Sequence, residues 1–486
     1  MSHVFRVFAT TLAVSFTLAA TATAAPGNAW PPKAGANFSD PSNWPNDPGY
    51  AQCKKAKDGK CEMMDGKAVI TGGDWNLWSF TPPNYAATPG FRKEEIAMGV
   101  GMHADKAWTK TIGDRRVIVA VLDSGIRWSH TDLINKHYLN RGELPAPEEA
   151  CRTKDYKNDP YDTNGDGIFN MLDWAKENGN AVPKTPCDSR VKDVNENKVI
   201  DPQDLIKTFS DGKDDDGNGY LDDISGWDFF RDDNDPFDDT NFGHGTGEAR
   251  DSVSEGNNGR GSVGVCPECT VLNIRAADSF VADSNDFAGG VMFAVDSGAK
   301  VIQSALGAIN MTNYAYDALE YAYNNNVVAI TSAADELSFH HNFPGSNNHS
   351  VYVHAIVYDG GSQKSSTTFL NFNNCTNYGG QLLLSTPGTG CSSEAVGMTS
   401  GHAGLLYSAG LQAKLSPPLT AEELRGLLIM SVDDINVPES KTDPTKFPSA
   451  AGWDLHFGYG RNNVFTSVNM VFDDEVPPEV DFLGPL

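Results

Sequence analysis

The chain has 486 residues, with 37 Lys+Arg against 64 Asp+Glu and a formal net charge of −27. That balance argues against nucleic acid or an anionic membrane as a partner, because phosphate recognition needs clustered Lys and Arg. A hydrophobic fraction of 40% can bury a sizeable core and argues against wholesale disorder.

Residues 1–24 carry the pattern of an export signal. Arg6 supplies a positive start, residues 7–20 are mostly apolar but too short to span a bilayer, and Ala22-Thr23-Ala24 offers a small-residue cleavage site. A secreted, soluble mature protein is expected. An oxidising compartment favours disulfides. The eight cysteines fall into four local pairs: Cys53/Cys61, Cys151/Cys187, Cys266/Cys269 and Cys375/Cys391. Free thiols are the alternative.

Residues 25–95 are rich in Trp, Pro, Gly and Asn and lack periodicity, so they are expected to be an N-terminal extension wrapped on a main domain at 96–475, with a short tail at 476–486. Residues 117–122 (VIVAVL) form a continuous apolar run, the mark of a strand buried on both faces of a parallel sheet. Similar runs follow at 271–274, 300–306, 327–331 and 351–358. Helical stretches at 286–295 and 314–323 alternate with them, which indicates βαβ units. The expected class is α/β, with a mostly parallel central sheet between two helical layers. Thr420 and Glu423 form a capping box that starts a late amphipathic helix.

An acidic insertion interrupts this pattern at about 140–240. Over 151–240, 23 Asp+Glu face 11 Lys+Arg, a net of −12, and few apolar runs occur. The insertion is therefore expected to have little core of its own. Its spacing suits calcium. Asp162, Asn164 and Asp166, the Ile168 carbonyl and Asp173 occupy positions 1, 3, 5, 7 and 12 of an EF-hand-type loop, with Gly167 at position 6. Asp214, Asp216, Asn218, the Tyr220 carbonyl and Asp222 form a 1-3-5-7-9 variant. A third loop, Asp193-x-Asn195-x-Asn197 with Asp201, has Lys198 where glycine is wanted. A solvated acidic loop is the plainer alternative.

Three residues carry chemistry. Asp123 ends the first apolar strand, His244 lies in Gly243-His244-Gly245-Thr246-Gly247, and Ser393 lies in Cys391-Ser392-Ser393-Glu394-Ala395 before a helix-compatible run at 396–411. Taken singly, each has a structural reading. Together, in the order Asp, His, Ser, they match one chain order of the hydroxyl–imidazole–carboxylate triad.

On these residues the chain resembles the subtilisin-like serine proteases, the subtilases. The Asp box (119–125), His244-Gly245-Thr246, the strand 301–307, Asn377-Tyr378-Gly379 and Gly458-Tyr459-Gly460-Arg461 all fit, over roughly residues 95–470. The resemblance implies a three-layer α/β/α fold and peptide-bond hydrolysis. Ser393 would be nucleophile, His244 base and Asp123 its orienting carboxylate, with Ala305, Leu306 and Gly307 lining the substrate pocket and pairing with an extended peptide or protein substrate. It also implies oxyanion stabilisation at Asp335, where the family usually has Asn. In the serine box, Cys391 and Gly397 replace the family's glycine and proline. A competing register would make Ser400 the nucleophile. Glu394 would oppose an anionic transition state or select basic substrate residues. The alternatives are a catalytically inactive peptide-binding relative and a calcium-dependent surface protein.

Overall fold

A computed structural model describes residues 30–177, 182–308, 310–360, 367–373, 375–436 and 447–478. The expected export signal and residues 479–486 of the tail lie outside the described residues.

Eight strands form one sheet: β1 Ile118–Asp123, β2 Trp227–Asp228, β3 Thr270–Arg275, β4 Val301–Ser304, β5 Val328–Ser332, β6 Val351–Val357, β7 Asn371–Phe372 and β8 Leu384–Pro387. Their order is β7-β6-β5-β4-β1-β3-β2, with β8 also pairing with β6. All pairings are parallel except β6–β7. The longer helices are α1 Pro202–Phe209, α2 His244–Val253, α3 Ser284–Asp296, α4 Asn313–Asn324, α5 Cys391–Ala413, α6 Ala421–Met430 and α7 Val464–Phe472.

Strand alternation explains the three layers. Successive side chains leave opposite faces, so Val119 and Val121 of β1 enter a core shared with α2, α5, α6 and α7. Ala120 and Leu122 enter a second core built with α3 and α4. A strand buried on both faces has no polar side to alternate with, which is why its run is unbroken. Thr420 and Glu423 form the expected capping box at the start of α6.

Residues 30–108 pack into the first core. Tyr50, Trp78 and Trp108 are fully buried there beside Val117 and Val119. Their polar edges are satisfied: Trp78 Nε1–H donates to the Tyr50 carbonyl at 3.0 Å, and Trp108 Nε1–H to the Val265 carbonyl at 2.9 Å.

The insertion does not lack a core. Met171, Trp174, Ile200, Leu205 and Ile206 gather with Trp128 and Leu144 into a separate cluster. Its apolar residues are large but widely spaced, so they left no run to read in the sequence. The cysteines form four disulfides, Cys53–Cys61, Cys151–Cys187, Cys266–Cys269 and Cys375–Cys391. Among the described residues no helix is long and apolar enough to cross a membrane.

Candidate active site

The carboxyl ends of parallel strands are where such sheets place chemistry. Asp123 closes β1 and is 1% exposed. His244 opens α2, and Ser393 lies in the first turn of α5. These three points, distant in sequence, converge. The two Asp123 carboxylate oxygens lie 2.8 and 2.9 Å from His244 Nδ1, and Ser393 Oγ lies 3.0 Å from His244 Nε2. With the proton on Nδ1, His244 donates to Asp123 and accepts from the Ser393 hydroxyl, which is the arrangement that activates a serine.

Electrostatics favour the protonated ring. Burial pulls the His244 pKa down, but the charge and hydrogen bond of Asp123, with a further contribution from Asp335, leave it above 6.5. Ser400 is excluded as the nucleophile by position. It is fully buried inside α5, and its hydroxyl has no partner among the described residues.

The altered serine box has a steric explanation. Cys391 has a φ of 52°, a left-handed conformation that glycine adopts freely. Here a cysteine holds it, tied to Cys375. Gly397 faces α2 so closely that a Cβ there would sit 2.7 Å from Asp251 Cβ. A proline ring would not fit. Glu248 and Asp251 occupy that space, and burial pushes both carboxyls well above the usual range.

Asp335 follows β5 at the mouth of the same cleft, about 780 Å³ in volume and also lined by His244, Ala305, Gly307 and Ser393. Its Oδ1 accepts the Ser392 N–H at 3.0 Å and the Ser392 hydroxyl at 2.6 Å. Loss of water in the cleft raises its carboxyl above the usual value, against the lowering effect of the Ser392 bonds.

Along the substrate strand, two expectations are corrected, at Leu306 and at Gly307. Leu306 does not line the cleft; strand alternation turns it into the second core, 1% exposed. The Gly307 N–H is not a free edge, since it donates to the Phe280 carbonyl at 3.0 Å and Val281 pairs with Gly307 in parallel register. Glu394 is spent on its own loop: Oε2 accepts the Thr389 and Gly390 N–H groups at 2.6 and 2.5 Å, and Oε1 accepts Asn76 Nδ2–H at 2.8 Å. Nothing in the sequence linked Asn76 to this place.

In each acidic loop the first Asp accepts backbone amides of its own turn. In the first, Asp162 accepts the Gly165, Asp166 and Gly167 amides, Asn164 and Asp166 close on one another, and the Asp173 oxygens accept the Thr163 and Asn170 amides. Ile168 continues the turn through its N–H to Asp166. In the second, Asp214, Asp216 and Asn218 are wound in the same way, with Asn218 accepting the Tyr220 N–H. Glu143, Asp214 and Asp216 bring carboxylate oxygens within 4.8 Å of one another and form a group able to hold a metal. Asp222 is not part of it. Its carboxylate turns away to the Asp211 and Gly212 amides, and Asp223 takes its place against Asn218 and Asn140. Two adjacent acids, Asp222 and Asp223, made the register ambiguous in sequence. In the third loop, Asp193 accepts the Asn197 and Lys198 amides.

Comparison with known proteins agrees with this geometry. The Subtilase family profile matches residues 114–460, and the chain belongs to that family. A thermophilic serine proteinase of Bacillus sp. (strain AK1) is 29% identical over 253 residues, covering 50% of this chain and 56% of that protein. Thermitase of Thermoactinomyces vulgaris is 30% identical over 205 residues, covering 39% of this chain and 69% of thermitase. The cell wall-associated protease of Bacillus subtilis (strain 168) is 27% identical over 251 residues, or 47% of this chain and 26% of that protein. The chain thus spans little more than half of the first of these relatives.

Titration of the histidine ring protons by NMR tests the site directly. His244 is expected to titrate above 6.5, because the Asp123 anion stabilises the imidazolium. Asp123→Asn removes that anion and is expected to move the midpoint down. An unmoved midpoint would contradict the pairing.

Proposed function

We propose that this chain is a secreted serine endopeptidase whose acidic insertion is stabilised by calcium. The 3.0 Å approach of Ser393 Oγ to His244 Nε2, with Asp123 behind the ring, carries the reading. Ser393 Oγ attacks the scissile carbonyl carbon while His244 Nε2 takes its proton, and Asp123 stabilises the imidazolium without taking the proton itself. The tetrahedral intermediate collapses as His244 returns the proton to the leaving amine. Water then repeats the cycle on the acyl-enzyme and frees Ser393.

The oxyanion forms at the N-terminus of α5, where the helix dipole favours negative charge. Asp335 assists only when protonated. Its Oδ1 is held by Ser392, so a proton on Oδ2 would give the donor that an asparagine amide gives. The productive form therefore has the proton on Asp335 and none on His244. An extended substrate reaches the Gly307 amide by displacing the Phe280 carbonyl, with Ala305 below it.

The insertion would hold calcium through oxygen donors, at Asp162, Asn164, Asp166, the Ile168 carbonyl and Asp173, and at Asp214, Asp216, Asn218 and the Tyr220 carbonyl with Asp223 or Glu143. Burial pushes the Asp173 and Asp223 carboxyls up to about 7. A divalent cation would offset that cost. Its contribution is structural: it neutralises the loops and ties the insertion down.

Three measurements test these readings. Hydrolysis of a denatured protein by the wild type is expected, and its loss in Ser393→Ala. In Asp335→Asn the kcat/KM profile is expected to lose its alkaline decline, because the amide donates at every pH. A wild type inert at all pH values would end the enzyme reading. Excess EDTA is expected to lower the melting midpoint by several degrees, since about 1 kcal/mol shifts a domain of 150–250 residues by about 2–4 °C. An unchanged midpoint would remove calcium.

A further inference from the structure

Resting on the endopeptidase reading, we propose that Asn76 is a positioning residue for the reaction. Through Glu394 it fixes the turn that carries Ser393, so the segment preceding the sheet is a permanent part of the catalytic centre and not a removable cover.

Asn76 lies 318 residues from Glu394 in sequence, in a short turn at Trp75–Leu77, and is 5% exposed. Its backbone is fixed. The Asn76 carbonyl accepts the Met102 N–H at 2.7 Å, and Gly101 approaches it so closely that a Cβ would lie 2.5 Å from that oxygen. Flanking rings hold the turn on both sides. Trp75 packs edge-on against Phe369 at 5.1 Å, and Trp78 packs against Tyr50 and Phe80.

From this fixed point the side chain makes one hydrogen bond, Nδ2–H to Glu394 Oε1 at 2.8 Å. Its own Oδ1 is buried without a partner among the described residues. A purely structural asparagine would be expected to satisfy both ends, since an unpaired buried acceptor costs free energy. The geometry is spent on the glutamate alone.

Glu394 spends its other oxygen on the loop. Oε2 gathers the Thr389 N–H, the Gly390 N–H and the Thr389 hydroxyl. A side chain at Gly390 would crowd it, with a Cβ only 3.0 Å from Oε2. These amides belong to the turn that enters α5, immediately before Cys391, Ser392 and Ser393. Glu394 also follows Ser393 directly, so both sides of the nucleophile hang on one carboxylate. That carboxylate sits beside two further acids, Asp74 from the same N-terminal segment and Asp251 from α2. Asn76 is the neutral donor that keeps it from swinging outward. A swing would carry Ser393 Oγ off His244 Nε2, and misplacement of about 1 Å costs roughly a hundredfold in rate.

The test uses the whole chain as wild type, Asn76→Ala, Glu394→Gln and the double variant, with Asn76→Asp as a same-sized replacement should the alanine variant not fold. Hydrogen exchange over residues 383–395 reads the clamp, and kcat and KM on a chromogenic peptide read its consequence. In Asn76→Ala or Asn76→Asp, the Thr389 and Gly390 amides are expected to exchange faster. The kcat is expected to fall by about tenfold to a hundredfold, with KM unchanged. The double variant is expected to be no worse than Glu394→Gln, because the two act in series. Wild-type exchange at Thr389 and Gly390 in the Asn76 variants, or losses that add in the double variant, would overturn the proposal. A wild type that does not hydrolyse peptides would sink the enzyme reading alone, while the exchange data still decide the clamp.

Discussion

The structure depends on one hydrogen bond that the fold must hold from two sides, the contact between Ser393 Oγ and His244 Nε2. His244 rides on α2 and is braced by Asp123 at the end of β1. Ser393 rides on α5, which packs on the same face of the sheet as α2. A shift of either helix by the length of one bond would separate them. The glycine at 397 and the left-handed turn at Cys391 are consequences of that demand: α5 must lie close against α2 and must begin abruptly at the cleft.

Negative charge is the second organising feature. A chain of net charge −27 crowds Glu248, Asp251, Asp335 and Glu394 around the cleft, and each is handled differently. Glu248 is buried and Asp251 half-buried, and loss of water pushes both toward their neutral forms. Asp335 leans on Ser392. Glu394 collects backbone amides at the helix start, where a carboxylate is most welcome. In the insertion the same problem is met by winding acids into loops with convergent oxygens. The common physics is that a carboxylate withdrawn from water needs donors, a proton or a cation.

Much of this was legible in the sequence. The strands at 118–123, 270–275 and 351–357 stand out as mostly apolar stretches because both faces are covered, and the Asp, His and Ser motifs lie at the ends or starts of their elements. What was illegible shares a cause. β2 and β7 are two residues long and leave no period to detect. Leu306 reads as a pocket residue until strand alternation turns it inward. Asp222 and Asp223 are interchangeable on paper, and only the turn decides which faces the loop. Asn76 and Glu394 are joined by tertiary packing across 318 residues, which no local pattern encodes.

Active-site labelling with a fluorophosphonate, followed by peptide mapping, tests the central claim most directly. The reagent reacts with a serine only where a base has raised its nucleophilicity. The account predicts one adduct, on Ser393, lost when His244 is replaced by alanine. An adduct on Ser400 or another serine, or an unmodified chain at every pH, would contradict it.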